Sequence, residues 1–212
     1  MKNVAIVCAA GREGKLLVDE AISRGHCVTG FVRGAGEAVN PKAKTVIKDL
    51  FDLTKEDLLG FDAVIDAFGA WTAETLPYLP KAAEHLCDCL SGSSARLLVV
   101  GGAGSLYTNQ EHTACVADAP DFPEIYKPVA AAHDAALKLL RTRKDVKWTY
   151  LSPAGNFVAD GTRTGKYLLG GEEYFVNEKG VSEISYADYA IAMIDELEKA
   201  VHIGQRFSVI GA

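Results

Sequence analysis

The chain has 212 residues, of which 49% are hydrophobic and 24% charged, and these values are typical of one globular domain. Its net charge of −6 and the lack of a basic stripe argue against a nucleic-acid partner. The chain enters a strand directly after its first residues, and no apolar run approaches membrane-spanning length. Neither a secretory signal nor a membrane partner is therefore expected.

The five cysteines are an odd number without the spacing of a disulfide framework, which predicts reduced thiols and a cytoplasmic protein. The pair Cys87 and Cys89 is separated by one residue, which is not the spacing of a zinc knuckle. The histidines show no ligand spacing either. No metal site is expected.

The first thirty-three residues predict a βαβ unit. Val4–Val7 is apolar and β-branched, as a buried parallel strand should be, and a second strand is predicted at Cys27–Val32. Between them, the helical pattern of Lys15–Ile22 follows a turn that contains Gly11 and Gly14. A strand, a glycine turn, a helix and a strand in this order are typical of dinucleotide-binding folds.

The turn predicts a site for the dinucleotide pyrophosphate. Gly11 lets a phosphate approach the backbone, Gly14 lets the helix pack closely on the strand, and the free N–H groups of the helix start favour an anion. Arg12 and Glu13 lie in the same turn. Cys8 replaces the usual first glycine, so the motif is incomplete and an ordinary αβ turn is the alternative interpretation.

Arg33 ends the second predicted strand, 22 residues after Gly11. NAD-selective sites carry an acid near this position, which binds the ribose 2′-hydroxyl. A guanidinium instead pairs with a 2′-phosphate, so NADPH is favoured over NADH. Arg12 is a second candidate for this phosphate. A solvated arginine at a strand end is the alternative.

The next two strands, predicted at Lys44–Lys48 and Asp62–Asp66, also end in candidate cofactor residues. Asp49 is placed to accept a hydrogen bond from the adenine amino group, with Leu50 against the ring. A capping role for Asp49 fits the sequence equally well. The small residues of Ala67–Gly69 would let the backbone pass the ribose.

The fifth strand, Arg96–Val100, is nearly all apolar and is expected at the centre of the sheet. It leads into the glycine-rich run Gly101–Gly104, which favours backbone lying beside the nicotinamide, with a flexible turn as the alternative. The long polar segment from Tyr107 to Pro123 predicts a lid or binding loop.

The remaining pattern completes a doubly wound, mostly parallel α/β sheet flanked by helices. One domain, 1–212, is expected, in which 152–185 form a small hairpin/helix insertion on the substrate side. The other predicted elements are helices at 72–90, 124–143 and 187–200, strands at 146–151 and 206–210, and a hairpin of 165–169 with 173–176 around Gly170–Gly171.

Several motifs at the strand ends carry a family resemblance. They are 10–14, 32–33, 66–69 and 99–106, together with Leu151-Ser152-Pro153-Ala154, Thr164-Gly165-Lys166-Tyr167 and Ile184-Ser185-Tyr186-Ala187-Asp188-Tyr189-Ala190. These motifs resemble the NAD(P)H-binding group of atypical short-chain dehydrogenase/reductases, often labelled NADH-flavin reductases. Biliverdin-IXβ/flavin reductases and nitrogen-metabolite-repressor-like proteins are relatives of this group.

The resemblance implies a Rossmann fold with a dinucleotide laid across the strand ends. It implies pyrophosphate at Gly11, Arg12, Glu13 and Gly14, the 2′-phosphate at Arg33, adenine at Asp49 and Leu50, ribose at Ala67, Phe68 and Gly69, and nicotinamide at Gly101, Gly102, Ala103, Pro153 and Ala154. Phe157 and the loop 105–122 would shape the substrate pocket.

The chain departs from the catalytic pattern of the wider superfamily, Tyr-x-x-x-Lys. Tyr126 is followed four places on by Ala130, and Lys127 is adjacent, so it points elsewhere on a helix. A phenol near pKa 10 without a neighbouring cation is a poor acid–base group. This counts against epimerase or alcohol dehydrogenase chemistry. Hydride transfer to a flavin or quinone does not need that pair.

Ser105, Tyr126 and His133 are the candidate catalytic residues. His133 lies two helical turns after Tyr126, on roughly the same face, although a structural or surface histidine is the alternative. The sequence predicts an NADPH-dependent reductase of a flat small-molecule acceptor, such as FMN, FAD or a quinone, that is a monomer or homodimer. The alternatives are a dinucleotide-binding redox sensor without turnover and an epimerase or dehydratase.

Overall fold

The computed structural model describes residues 1–37 and 39–212, which form ten strands and four α-helices. The strands are β1 Asn3–Val7, β2 Cys27–Val32, β3 Lys44–Ile47, β4 Ala63–Asp66, β5 Arg96–Val100, β6 Lys147–Ser152, β7 Asn156–Val158, β8 Tyr167–Gly170, β9 Glu183–Ser185 and β10 Gln205–Gly211. The helices are α1 Arg12–Ser23, α2 Tyr78–Leu90, α3 Lys127–Thr142 and α4 Tyr186–Lys199.

Eight strands form one sheet in the order β3-β2-β1-β4-β5-β6-β10-β8. All neighbours pair in parallel except β8, which runs antiparallel to β10 at the edge. The order of the first six strands is that of a Rossmann fold. The predicted doubly wound, mostly parallel sheet is therefore confirmed.

Helices cover both faces of this sheet, which explains why β4 is buried along its whole length. Leu17 of α1 and Met193 of α4 belong to the core on one face, whereas Leu86 of α2 and Leu137 of α3 belong to the core on the other. The starts of α1 and α4 consequently lie on the same side of the sheet, next to the carboxyl ends of its strands.

The predicted hairpin around Gly170–Gly171 is wrong. β8 pairs with β10 instead, and the segment after Gly171 pairs with the loop that follows β5. The N–H of Tyr107 donates to the carbonyl of Glu172, and the N–H of Tyr174 donates to the carbonyl of Tyr107. The glycines predict a turn, but they do not show that β8 pairs with the edge of β10, which lies about 40 residues further along the chain.

The helix predicted from Thr72 begins only at Tyr78. Residues 72–77 form successive turns instead, and Pro77 stands at the N-cap of α2. Pro80 then falls in the first helical turn, where a missing N–H costs no intrahelical hydrogen bond. The other predicted helices and sheet strands agree with the structure to within about three residues at each end.

The segment 152–185 contains a second, two-stranded parallel sheet of β7 and β9. The buried carboxylate of Asp188 in α4 accepts hydrogen bonds from the N–H groups of Thr164 and Gly165, which fixes the loop between β7 and β8. This segment is therefore tied to the start of α4. Its role as a substrate-side insertion stays a prediction.

Candidate active site

The candidate site is the crevice at the carboxyl ends of the parallel strands. The segments that leave β1, β4, β5 and β6 here are 8–11, 67–77, 101–106 and 153–155. Because parallel strands end at one edge, these segments are brought together although up to about 145 residues separate them. The crevice unites the predicted pyrophosphate, ribose and nicotinamide residues.

The start of α1 is open to an anion. Among the described residues no side chain caps this helix at Gly11, whereas the hydroxyl of Ser185 caps α4 by accepting from the N–H of Asp188 at 3.0 Å. A helix leaves the N–H groups of its first turn without intrahelical acceptors. The first turn of α1 therefore keeps donors for a ligand, and a phosphate is the group that such donors bind best.

Gly14 sets the distance between α1 and the turn beneath it. A Cβ atom at this position would lie 2.4 Å from the carbonyl oxygen of Cys8 and 3.0 Å from the backbone of Ala9. At Gly11 the corresponding distance to the same oxygen is 3.2 Å. The helix start and the turn are consequently packed closely together, and we call this arrangement the cradle.

Cys8 occupies the position of the missing first glycine and adopts the backbone that glycine favours, with φ of 58°. Burial and, to a smaller extent, the carboxylate of Asp66 raise the pKa of its thiol to about 12, although Arg33 opposes them. The thiol is therefore un-ionised at neutral pH. The sequence shows the substitution but not that the backbone keeps the glycine conformation.

The two arginines proposed for the 2′-phosphate lie on different sides of the turn. Arg33 is exposed at the end of β2, and its charge acts on Cys8. Arg12 is exposed and lies near Tyr186, at the start of α4. Burial and the charge of Glu13 raise the pKa of the Tyr186 phenol, whereas the charge of Arg12 lowers it. Of the two, Arg33 directly follows β2, where the sequence predicts the 2′-phosphate.

At the predicted adenine site, Asp49 acts as a cap: its Oδ1 accepts from the N–H of Phe51 at 2.9 Å. Leu50 is buried in the core beneath the crevice. The ring of Phe51 is partly exposed and meets that of Phe68 at 6.5 Å between centroids. Phe51, which the sequence interpretation missed, and its neighbour Tyr78, at 5.5 Å between centroids, are therefore exposed aromatic side chains here.

Asp66, at the end of β4, is a second residue that the interpretation missed as a site group. Its carboxyl is buried and accepts from the N–H of Phe68 at 3.0 Å. Burial raises its pKa to about 6, although this hydrogen bond opposes the rise. Asp66 thereby fixes the backbone that Ala67, Phe68 and Gly69 present to the crevice.

Two buried tyrosines fix the glycine run after β5. The N–H of Gly102 donates to Tyr150 Oη at 3.0 Å. The N–H of Gly101 donates to the carbonyl of Leu151 at 2.9 Å and lies 3.4 Å from Tyr189 Oη. A Cβ atom at Gly101 would lie 2.3 Å from the Tyr150 ring, so this backbone is packed and not a flexible turn. We call this backbone the floor. Ala103, Pro153 and Ala154, the other residues predicted for the nicotinamide, follow the neighbouring strands β5 and β6.

The three candidate catalytic residues lie in different surroundings. Ser105 is buried, and its Oγ accepts from Arg206 Nη1 at 3.0 Å. His133 lies beneath Gly102 with Nδ1 3.3 Å from Tyr150 Oη, and burial lowers its pKa to about 4, so its ring is neutral at neutral pH. Tyr126 is 51% exposed just before α3. The nearby Lys127 Nζ pairs with Glu124 at 2.5 Å.

Aromatic side chains lie on the segments that follow β4 and β6. Phe157 packs against Tyr186 and Tyr189 with centroid distances of 4.0 Å and 4.8 Å. Trp71, in the loop after β4, is 71% exposed. The base of the predicted lid is anchored, because the buried Arg206 donates to the carbonyls of both Ser105 and Glu172.

Two further findings concern the described residues as a whole. They contain no group of three or more histidine, cysteine or acidic side chains arranged to hold a metal ion. None of their helices is both long enough and apolar enough to cross a membrane.

Comparisons with known proteins concern the family and the fold. The family model described as NAD(P)H-binding matches residues 8–197. The uncharacterized protein YwnB of Bacillus subtilis is 42% identical over 208 residues, which is 98% of each chain. A Streptococcus pneumoniae structure, provisionally named an NADH-flavin reductase, is 50% identical with a TM-score of 0.96 over 100% of both chains. A Bacteroides thetaiotaomicron structure, provisionally named an epimerase, is 35% identical with a TM-score of 0.86 over 99% of this chain and 97% of that one.

Proposed function

This chain belongs to the NAD(P)H-binding family, and from this premise we propose that it is an NADPH-dependent reductase of a flat acceptor, a flavin or a quinone. The observation that carries the proposal is the uncapped start of α1 at the crevice where the parallel strands end. The reductase name of the Streptococcus pneumoniae relative also supports it. We further propose a cytoplasmic location, which the five free thiols support.

In this proposal each part of the cofactor has a binding group of matching chemistry. The N–H groups at the start of α1 hold the diphosphate. Arg33 holds the 2′-phosphate; its side chain makes no ion pair within the described part of the chain, so its guanidinium is available for two parallel hydrogen bonds. The floor at Gly101 and Gly102 supports the nicotinamide.

The bound nicotinamide would supply the hydride, and the chain would orient the acceptor and exclude water. Phe157 and Trp71, on the segments that follow β6 and β4, offer flat apolar surface for a ring system. No Tyr–Lys acid–base pair is needed for such a transfer, and the pairing of Lys127 with Glu124 leaves Tyr126 without one. These features favour a flavin or quinone over an alcohol, a sugar nucleotide or another substrate that requires a proton relay.

A redox sensor without turnover is the second candidate. It is favoured by one observation, a shallow apolar groove of about 420 Å³ between the starts of α2 and α3. Leu76, Pro80 and Ala132 contribute to its lining, and Ile125 is exposed in the segment that precedes α3. A sensor would need an exposed apolar surface of this kind to bind a partner protein when the dinucleotide is bound.

Titration of the protein with NADPH and NADH by fluorescence, followed by assays of NADPH oxidation with FMN, FAD and a quinone, separates the candidates. The reductase binds NADPH more tightly than NADH and oxidises it in the presence of at least one acceptor. Tight binding without oxidation supports the sensor. No binding of either dinucleotide contradicts both.

Replacing Arg33 by alanine is expected to weaken NADPH binding by about 10- to 100-fold, because a hydrogen-bonded charge pair contributes about 1.5–3 kcal/mol. NADH lacks the 2′-phosphate, so its affinity should stay nearly unchanged. Arg33→Lys keeps the charge but not the bidentate geometry and should fall between the two. Fluorescence titration of all three proteins checks this, and an unchanged NADPH/NADH ratio in Arg33→Ala would show that the 2′-phosphate binds elsewhere.

A further inference from the structure

A cavity of about 490 Å³ lies beside β10, outside the crevice. It is bounded by the end of α3, the start of β6, the first residues of β10 and the turn after β8. Its lining residues fall within 141–148, 169–172 and 202–207, and none of these segments contributes to the crevice. Cavities of this size bind small molecules. The cavity is therefore a candidate for a second ligand site.

The cavity exists because β8 covers only part of β10. Within the described part of the chain, β8 pairs with Ser208–Gly211, whereas the preceding residues Gln205–Phe207 pair with β6 alone. The edge of β10 opposite β6 is consequently open over these three residues. Gly170 and Gly171, which end β8 and begin the turn after it, have no side chains to fill the space.

Two arginines and one carboxylate line the cavity. Nη2 of Arg206 and Nη2 of Arg141 both pair with Oε2 of Glu172, the latter at 2.6 Å. Glu173, the next residue in the chain, pairs instead with His112 at 2.7 Å. One negative charge thus faces two positive charges. The cavity keeps an excess of positive charge, although the chain as a whole carries −6.

The two arginines differ in their access to a ligand. The Arg206 side chain is fully buried and donates to the carbonyls of Ser105 and Glu172. The Arg141 side chain is 38% exposed; it pairs with Glu172, and Tyr107 also lies near it. A guanidinium carries a fork of N–H donors, so Arg141 retains donors for a second acceptor. Arg141 is therefore the group that an entering anion would meet.

Flat apolar groups form the other walls of the cavity. The rings of His202 and Phe207 are stacked, with 4.1 Å between centroids, and the indole of Trp148 also lines the cavity. A carboxylate matches the fork of an arginine, and a ring attached to it would pack against these aromatic groups. An anion of higher charge would be repelled more strongly by Glu172.

We propose that this cavity binds a small monoanion that carries a carboxylate on an apolar or aromatic body, and that Arg141 holds the carboxylate. The single negative charge of such a ligand matches the single excess positive charge of the cavity. The inference goes beyond the proposed reductase activity, because it uses none of the residues proposed to bind the dinucleotide or the acceptor.

The test follows the tryptophan indole N–H signals of ¹⁵N-labelled protein by NMR during titration with benzoate as the probe. The chain has two tryptophans, so the variant Trp71→Phe identifies the signal of Trp148 in the cavity. Benzoate should shift this signal with a Kd of about 1 mM, as expected for a ligand of so few atoms. Benzamide has the same shape without the charge and should bind at least about tenfold more weakly.

Three variants identify the group that holds the carboxylate. Arg141→Ala should weaken benzoate binding at least about tenfold, while Glu172 keeps its pairing with Arg206. Arg33→Ala removes an exposed arginine beside the crevice and is the matched control, whose benzoate Kd should equal that of wild type. Glu172→Gln removes the competing carboxylate and should tighten benzoate binding several-fold. Thermal unfolding confirms that each variant is folded.

Saturating NADPH should leave the benzoate titration unchanged, because the two sites are separate. The inference is overturned if benzoate does not shift the Trp148 signal, if NADPH displaces benzoate, or if benzamide binds as tightly. It is equally overturned if folded Arg141→Ala keeps the wild-type Kd. Each of these results leaves the proposed reductase activity intact. A protein that binds benzoate as described but binds no NADPH would contradict the proposed function alone.

Discussion

Gly14→Ala is expected to lower NADPH affinity by about 100-fold or more, even though only one methyl group is added. That methyl would lie 2.4 Å from the carbonyl oxygen of Cys8 and 3.0 Å from the backbone of Ala9. Backbone atoms cannot rotate away as a flexible side chain can, so α1 must move relative to the turn. Such overpacking costs about 1–3 kcal/mol or more, and the displaced N–H groups lose the diphosphate in addition. Fluorescence titration with NADPH measures the loss.

Gly171→Ala is the matched control. Its added methyl would meet only Glu173 Oε2 at 3.6 Å, which is an ordinary contact, and the residue lies in the turn after β8, outside the crevice. This variant should bind NADPH as wild type does. Far-ultraviolet circular dichroism and thermal unfolding identify any general loss of structure in either variant. A folded Gly14→Ala protein with wild-type affinity would show that the cradle does not hold the diphosphate.

Glu196→Ala is expected to cost about 3–5 kcal/mol of the free energy of unfolding, because it leaves a buried cation without its partner. Arg96 and Glu196 are both buried, with Arg96 Nη2 2.5 Å from Glu196 Oε1. Arg96 also donates to the carbonyl of Glu196 and to Thr149 Oγ1, each at 2.8 Å. The pair joins α4 to β5 and β6, so its loss weakens the core around which the crevice is built. Urea unfolding at neutral pH measures the change.

The Arg96–Glu196 pair also makes the free energy of unfolding depend on pH in the acidic range. Burial alone would raise the pKa of Glu196, but hydrogen bonds from His202 and Arg96 outweigh burial and hold it below its usual value. The stabilisation is therefore present above the unfolded-state pKa, about 4.3, and is lost as the pH falls through the lower folded-state value. Glu196→Ala should lack this part of the acid dependence. Lys138→Ala removes a largely exposed partner of Asp134 and should leave stability nearly unchanged. Equal losses in the two variants would contradict the role given to the buried pair.

Most of the sheet could be predicted from local sequence, because each buried parallel strand is a short apolar run and each helix repeats its apolar residues with a period near 3.6. β5 is an example: Arg96–Val100 was predicted and found with the same bounds. The hairpin at Gly170–Gly171 failed because the partner of β8 is β10, which no local pattern near Gly170 indicates. Pairing at a sheet edge is decided by distant strands.

The sequence predicts a feature of the candidate site only where that feature depends on residues close together in the chain. A glycine turn before a helix can be recognised in the sequence, and Gly14 lies in the first turn of α1 as that motif requires. By contrast, Ser105 accepts a hydrogen bond from Arg206, which is 101 residues away in the chain. Gly102 donates one to Tyr150, which is 48 residues away. Such partners are supplied by the folded sheet. Glu13 is likewise buried, and neither of its carboxyl oxygens has a hydrogen-bond partner among the described residues, which depends on how α4 packs against α1.

A crystal structure of the protein with NADPH tests the central claim most directly. The account predicts diphosphate oxygens within hydrogen-bond distance of the backbone N–H groups of Arg12, Glu13 and Gly14, with the 2′-phosphate at Arg33. A dinucleotide whose diphosphate lies elsewhere, with the start of α1 turned to solvent, would contradict it.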